Sequence, residues 1–326
     1  KATTFWETAI EPILRDISKH GVENFRQWNS ALTYFVPTYG FPGNSLPQET
    51  YLKIKELVSE AATSKQKNTI TNFVDGRNQA LSDFRVAKAI LQKNAPEIFL
   101  NYSESSVGNP IEQFTFEGRK YSRSSLNYLL GLAALSQYED LTNINKVLEI
   151  GGGFGSLGEI LFTSNDDLKY CNLDIPPTCV AAEYFLDQVV QKKCVRNFDS
   201  KASKVDFNQD DWSVSVLPNW NIENICGDID LFVNYISFQE MEPNVVENYL
   251  DHVARLNPKW ILIRHIREGK EKKTSTNPIG VNNPVMPEDY ERYLTGYQTV
   301  LQDCTLFGYE TPDFFHSDVL ILKRLD

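Results

Sequence analysis

The run Val147-Leu-Glu-Ile-Gly-Gly-Gly-Phe-Gly-Ser-Leu-Gly158 constrains this chain more than any other segment. An apolar strand enters a glycine cluster, and a helix-like stretch leaves it. Glycine permits left-handed torsions and lets a ligand approach the main chain. The helix start beyond offers free N–H groups and the positive end of a dipole. In open α/β sheets such loops lie at the carboxyl ends of the strands, where ligands bind.

The rest of the second half agrees with that setting. Strand-like runs at Lys146–Ile150, Tyr170–Asp174, Val214–Leu217, Leu231–Tyr235, Trp260–Arg264 and Val319–Leu322 alternate with helix-like stretches at Ser156–Phe162, Pro177–Val190 and from Pro243. Alternation of this kind predicts a mostly parallel sheet covered on both faces. The first half reads as helical. Ile10, Ile13, Leu14 and Ile17 recur at helical spacing up to Gly21. Ile54, Leu57, Val58 and Ala61 repeat the pattern, as do Ala80, Phe84, Ala87 and Leu91 before Pro96. Residues 36–47 read as a loop rich in proline and glycine, and Ser124 or Ser125 as the cap of an apolar helix. The polar stretch 138–145 divides a helical domain, 1–140, from a ligand-binding domain, 141–326, and 326 residues suit such a division.

A net charge of −11 disfavours a phosphate backbone as a bulk electrostatic partner. Lys270, Lys272 and Lys273 form the one basic cluster and read as a solvated loop. Five widely spaced cysteines without a CxxC argue against a disulfide framework or zinc cluster. With no secretory signal and no apolar run long enough to span a bilayer, the expectation is a cytoplasmic protein without a membrane span. A homodimer is compatible with the helical half. Asp210, Asp211, Asp228 and Asp230 show no hard-cation spacing, so no metal is expected.

Two ligands compete for the glycine loop. Gly153, Gly155 and Gly158 satisfy the dinucleotide pattern GxGxxG. Glu149, Gly151, Gly153 and Gly155 equally fit acid-x-Gly-x-Gly-x-Gly, which resembles class I methyltransferases, and Gly152 between them is counted with the donor-binding loop. An acid two residues before the first glycine favours a ligand carrying an ammonium and a sulfonium over one carrying a pyrophosphate. Asp174 follows Gly155 by 19 residues and is placed to accept hydrogen bonds from ribose hydroxyls of either ligand. Downstream of the loop no tyrosine has the lysine four residues on that a common reductase class needs.

The acceptor side should come from the loops after the fourth and fifth strands: Asn234-Tyr-Ile-Ser-Phe-Gln-Glu-Met241, then Ile263-Arg-His-Ile-Arg-Glu268 and the loop through Asn277, Pro278, Asn282, Asn283 and Pro284. His265 is the candidate general base, with Glu240 second. A base of this kind contributes roughly 10²–10⁴-fold. Arg264 is placed to hold a phosphate or carboxylate of the acceptor.

The glycine run, Asn172-Leu-Asp-Ile-Pro-Pro177 with Tyr184-Phe-Leu186, and Asn234–Met241 together resemble the sugar O-methyltransferases of bacterial surface-polysaccharide gene clusters. Gly108-Asn-Pro110 and Tyr121-Ser-Arg-Ser-Ser-Leu-Asn-Tyr128 are also similar, so the likeness runs from about Gly108 to the end. It implies a Rossmann-like class I methyltransferase sheet of seven strands, the last antiparallel. It also implies S-adenosylmethionine as donor and a sugar hydroxyl, on a nucleotide sugar or glycan precursor, as acceptor. It carries Gly151, Gly153 and Asp174 as donor-binding positions, with Asn219 or Trp220 left to meet the adenine and Asn234 beside them. The alternatives are a nicotinamide-dependent oxidoreductase, a non-catalytic donor-binding protein, and methylation of a non-sugar metabolite or peptide.

Overall fold

In a computed structural model the described residues are 4–40, 48–61, 63–190, 194–196, 204–209, 212–278, 280–308, 310 and 315–325. Asp210, Asp211 and residues 41–47 of the proline- and glycine-rich stretch 36–47 lie outside them.

The first half is helical: α1 (Thr4–His20), α2 (Asn29–Tyr34), α3 (Gln48–Ala61), α4 (Ser64–Val74), α5 (Arg77–Asn94) and α6 (Glu97–Leu100). On α5 the expected stripe Ala80, Phe84, Ala87 and Leu91 is the buried one. The α3 stripe differs: Ile54 and Val58 are half-buried and Leu57 is exposed. Two short strands follow, β1 (Phe114–Phe116) and β2 (Arg119–Tyr121). Glu117 and Gly118 turn between them with φ of 49° and 79°, the torsions a tight two-residue hairpin requires. Next comes the apolar helix α7 (Arg123–Leu135). Its cap is Ser122, which exchanges hydrogen bonds with Ser125, rather than Ser124 or Ser125 themselves.

The second half supplies β3 (Lys146–Ile150), α8 (Ser156–Ser164), β4 (Lys169–Asp174), α9 (Pro176–Val190), β5 (Cys194–Arg196), β6 (Val205–Asp206), β7 (Val214–Pro218), β8 (Ile225–Cys226), β9 (Leu231–Tyr235), α10 (Pro243–Arg255), β10 (Trp260–Ile266), α11 (Pro287–Tyr293), β11 (Tyr297–Asp303) and β12 (Ser317–Arg324). The main sheet runs β5-β7-β4-β3-β9-β10-β12-β11. β12, the last strand, is antiparallel to both neighbours, and the pairs from β5 through β10 are parallel. This is the class I methyltransferase sheet, with β5 added as an eighth strand at one edge.

Side chains alternate across the sheet. Val147, Tyr170, Val233, Leu262 and Ile321 pack on one face with α7 and the N-terminal helices, while Leu148, Cys171, Phe232, Ile263 and Leu320 pack on the other with α10. One hydrophobic cluster joins Ala9, Phe25 and Phe84 to Phe154, Phe185 and Val319, so the helical half and the sheet share a core. Gly108 accepts from the Arg26 amide at 3.1 Å, and the Arg26 guanidinium is buried against Glu104 and Glu112. Among the described residues no helix is long and apolar enough to cross a membrane.

Candidate functional site

A cavity of about 760 Å³ opens at the carboxyl ends of the strands. That volume suits a small-molecule site. Its walls come from the glycine loop, the ends of β4, β7, β9 and β10, helix α7, the N-terminal segment and the loop after β10.

Gly151, Gly152 and Gly153 line it. Gly151 has φ of 75°, and a Cβ there would lie 2.1 Å from Ser237 Oγ. At Gly152 a Cβ would meet the Glu149 carboxylate at 2.5 Å and Asn172 Oδ1 at 2.7 Å. Gly155 starts α8 against Leu186 and is not on the wall. Asp174 is on the wall. Its oxygens accept from the Gly153 N–H at 2.9 Å and the Ile175 N–H at 2.7 Å. Burial pushes its carboxyl up to about 7, against the pull of those two amides. The carboxylate thus organises the loop while facing the cavity.

Glu149 is placed differently from the expectation of a donor contact. It is fully buried behind Gly152. Its oxygens accept from the Tyr128 hydroxyl at 2.6 Å and from the Tyr170 hydroxyl. The strand period explains this, since Glu149 shares the face of Val147 that meets α7. Burial raises its carboxyl to about 7, offset by the two hydroxyl donors. A group raised in the fold gives stability that is full below its unfolded value, near 4, and lost as pH rises through 7. Glu149→Gln is therefore expected to gain on the wild type between about pH 4.5 and 8, by about 1–3 kcal/mol, with no gain at the acid end. Urea denaturation at several pH values measures this, and a difference independent of pH would refute it.

Asn234 is also a brace and not a wall residue. Its amide donates to the Ile150 carbonyl at 2.9 Å and to Ser237 Oγ at 2.6 Å, and its oxygen accepts from the Phe238 N–H at 3.2 Å. Asn219 lines the cavity, whereas Trp220 is 62% exposed and does not. Ile236 lines it with φ of 67°, a strained torsion for a β-branched residue, held where its N–H donates to the Arg264 carbonyl at 2.9 Å.

On β10 the alternation separates two candidates. Arg264 faces the cavity. His265 faces the opposite layer, fully buried, its ring edge-on to Tyr290 at 5.5 Å. The structure thus corrects His265 as the base, because adjacent strand residues point to opposite faces. Glu240 is on the wall, accepting from Trp6 Nε1 at 2.7 Å with Lys270 Nζ at 3.7 Å. Burial raises its carboxyl above the ordinary range, opposed by Lys270 and the Trp6 bond. Of the long loop, Lys273 and Asn282 reach the cavity, and Asn282 and Asn283 donate to the Glu242 carboxylate. Among the described residues no group of His, Cys, Asp and Glu could hold a metal ion.

Sequence reasoning missed Arg123, Ser124, Asn127 and Tyr128 on α7, and Tyr235, all on the wall. Tyr128 stacks on Tyr235 at 4.7 Å. The signal was present: polar residues at helical spacing on one face of an otherwise apolar helix.

Among solved structures the chain is similar to magnesium protoporphyrin IX methyltransferase from Synechocystis PCC 6803 with bound S-adenosylmethionine, at 13% identity and a TM-score of 0.42, over 62% of this chain and 79% of that one. It is similar to mitomycin 7-O-methyltransferase at 14% identity and a TM-score of 0.38, over 62% and 58%. A third is an S-adenosylmethionine-dependent methyltransferase from Clostridium acetobutylicum ATCC 824, at 11% identity and a TM-score of 0.42, over 61% and 91%. These are distant likenesses, and the fold class rests on the strand order given above. No family model matches the sequence, and no curated protein matches it.

Proposed function

We propose that this chain is an S-adenosylmethionine-dependent O-methyltransferase whose acceptor is a small molecule with a sugar hydroxyl. The observation that carries the reading is one cavity in which the amides of a glycine loop and the Asp174 carboxylate share the wall with Glu7, Glu240 and Glu242. A ribose diol finds its acceptor at Asp174. A cationic sulfonium and ammonium are stabilised by these acidic side chains. When bound, the donor supplies a methyl group activated on positive sulfur. The chain's own part is to align the acceptor and take its proton. Glu240 is the wall carboxylate suited to receive the hydroxyl proton as the oxygen gains the methyl group, since a raised carboxyl is a better base. The polar wall of Ser124, Asn127 and Asn282 and the sequence resemblance support a hydroxylated acceptor. Trp6 and residues 32–37, on this wall, support a covering role for the helical half.

Calorimetric titration with S-adenosylmethionine, S-adenosylhomocysteine and NADH tests the reading. Micromolar binding of the two sulfur compounds without NADH is the expected outcome. Binding of NADH alone would replace methyl transfer with hydride chemistry.

A further inference from the structure

Arg264 is an unusual group to find on this wall. It is only 7% exposed, its Nε donates to Ser317 Oγ at 2.8 Å, and its guanidinium lies 4.1 Å over the Phe307 ring. Among the described residues no carboxylate lies within ion-pair distance of it, and its Nη groups make no hydrogen bond. Arg123, at the start of α7, lines the same cavity and spends Nη1 on the Thr38 carbonyl at 2.8 Å. It too lacks an ion pair among the described residues. Asp83, the carboxylate whose field reaches Arg264, is engaged by the Tyr39 hydroxyl at 2.6 Å. Burial, and then repulsion from Arg123, lower the Arg264 guanidinium to about 10. Buried charge of one sign without a counter-charge is costly. Buried Arg264 and half-buried Arg123 face one ligand cavity with Asp83 as the carboxylate in their shared field, so two cations stand against one engaged anion and a bound anion would complete the set.

We infer that Arg264 and Arg123 form an anion subsite at the β10 end of the cavity, and that the acceptor carries an oxyanion, phosphate or carboxylate, held there. The inference rests on the methyltransferase reading for the word acceptor, but not for the subsite itself. Asp174 and Arg264 stand at the ends of β4 and β10, with β3 and β9 between them. Three strand spacings of about 4.8 Å place the two ends roughly 14 Å apart. Donor ribose and bound anion thus occupy opposite ends, with the glycine loop, Ile236 and Glu240 between. Planar guanidinium forks match phosphate and carboxylate geometry. A polar hydroxylated ring tethered by its anionic group would be presented to the base across this gap.

The test titrates inorganic phosphate, pyrophosphate and D-glucuronate into protein already saturated with S-adenosylhomocysteine. At least one is expected to bind, and Arg264→Gln and Arg123→Gln should each weaken it about tenfold or more while leaving S-adenosylhomocysteine affinity within about threefold. Binding of the phosphates identifies a phosphorylated acceptor, and binding of glucuronate an acidic sugar. The inference is overturned if no probe binds, if both variants bind as tightly as wild type, or if S-adenosylhomocysteine competes with the anion, which would assign the arginines to the donor's own carboxylate. Anion binding that survives in a protein unable to bind S-adenosylhomocysteine would instead sink the donor reading and keep the subsite. Arg123→Gln alters a half-buried residue and serves if Arg264→Gln fails to fold.

Discussion

Asp174→Ala should bind S-adenosylhomocysteine about 100-fold more weakly than the wild type. The carboxylate has two oxygens, each already fixed by one backbone amide, at Gly153 and at Ile175. A ribose diol would complete both. Loss of two charge-assisted hydrogen bonds costs about 3 kcal/mol, which is on the order of two decades in Kd. The substitution also frees the Gly153 amide, so the loop loses one of its ties to β4, while those to Asn172 and the Leu173 carbonyl remain. Because burial holds the empty-site carboxyl near 7, wild-type affinity should fall as pH drops from about 8 to about 6, and the variant should lose that dependence. Titration calorimetry at the two pH values reads both effects. Equal affinity of variant and wild type would remove Asp174 from the donor site.

The second large effect is expected at Gly151. An alanine there keeps φ near 75° only at about 1–2 kcal/mol of strain. Its Cβ would sit 2.1 Å from Ser237 Oγ and 2.4 Å from Ser237 Cβ, so rotating the hydroxyl away does not relieve the clash. Ser237 cannot yield without cost, since it donates to the Ile150 carbonyl and accepts from Asn234. Gly151→Ala should lose about 3 kcal/mol of stability or more, together with donor binding. Adding Ser237→Gly removes both clashing atoms and should recover part of the stability, roughly a third, leaving the torsional cost and the loss of the Ser237 bonds to Ile150 and Asn234. Urea denaturation of single and double variants measures this. A double variant no more stable than Gly151→Ala alone would show that the clash is not the cause.

Most of the sheet was legible because parallel strands buried on both faces are short apolar runs, and β9 has the limits read from Leu231–Tyr235. β11 was not, because Tyr297–Asp303 is only half-buried at the sheet edge and carries Thr299, Gln298 and Gln302 among its apolar residues. The β1–β2 hairpin was hidden in strands of three residues, although Glu117-Gly118 marked its turn. At the site, the glycine loop and Asp174 were readable from local pattern. Glu149 was assigned to the ligand by the acid-x-Gly pattern and Asn234 and His265 by their nearness to strand ends, whereas Glu149 is buried behind Gly152, Asn234 braces the Ile150 carbonyl and His265 faces the opposite layer. Side-chain alternation, applied to β10, would have preferred Arg264. Arg123 and Tyr128 stand in a polar stripe on α7 that the sequence shows, but that this stripe faces the strand ends is a tertiary fact.

The ring of Phe154, inside the glycine loop, is packed by Phe25 at 5.5 Å and Phe185 at 4.9 Å, with the Arg26 guanidinium 4.9 Å above it. The segment that bears Phe25 leads directly into Leu32–Pro37, which walls the same cavity. The glycine loop and this part of the cavity wall, the donor and acceptor sides of the proposed function, therefore lean on the same aromatic ring. On the proposed reading such a site would not be modular: a change that reshapes the wall for a new acceptor would be transmitted to the loop, and drift in the loop would be felt by the acceptor. Its specificity would evolve by paired substitutions on both sides of Phe154, and grafting its front half onto another sheet would require the ring and its three neighbours to travel together.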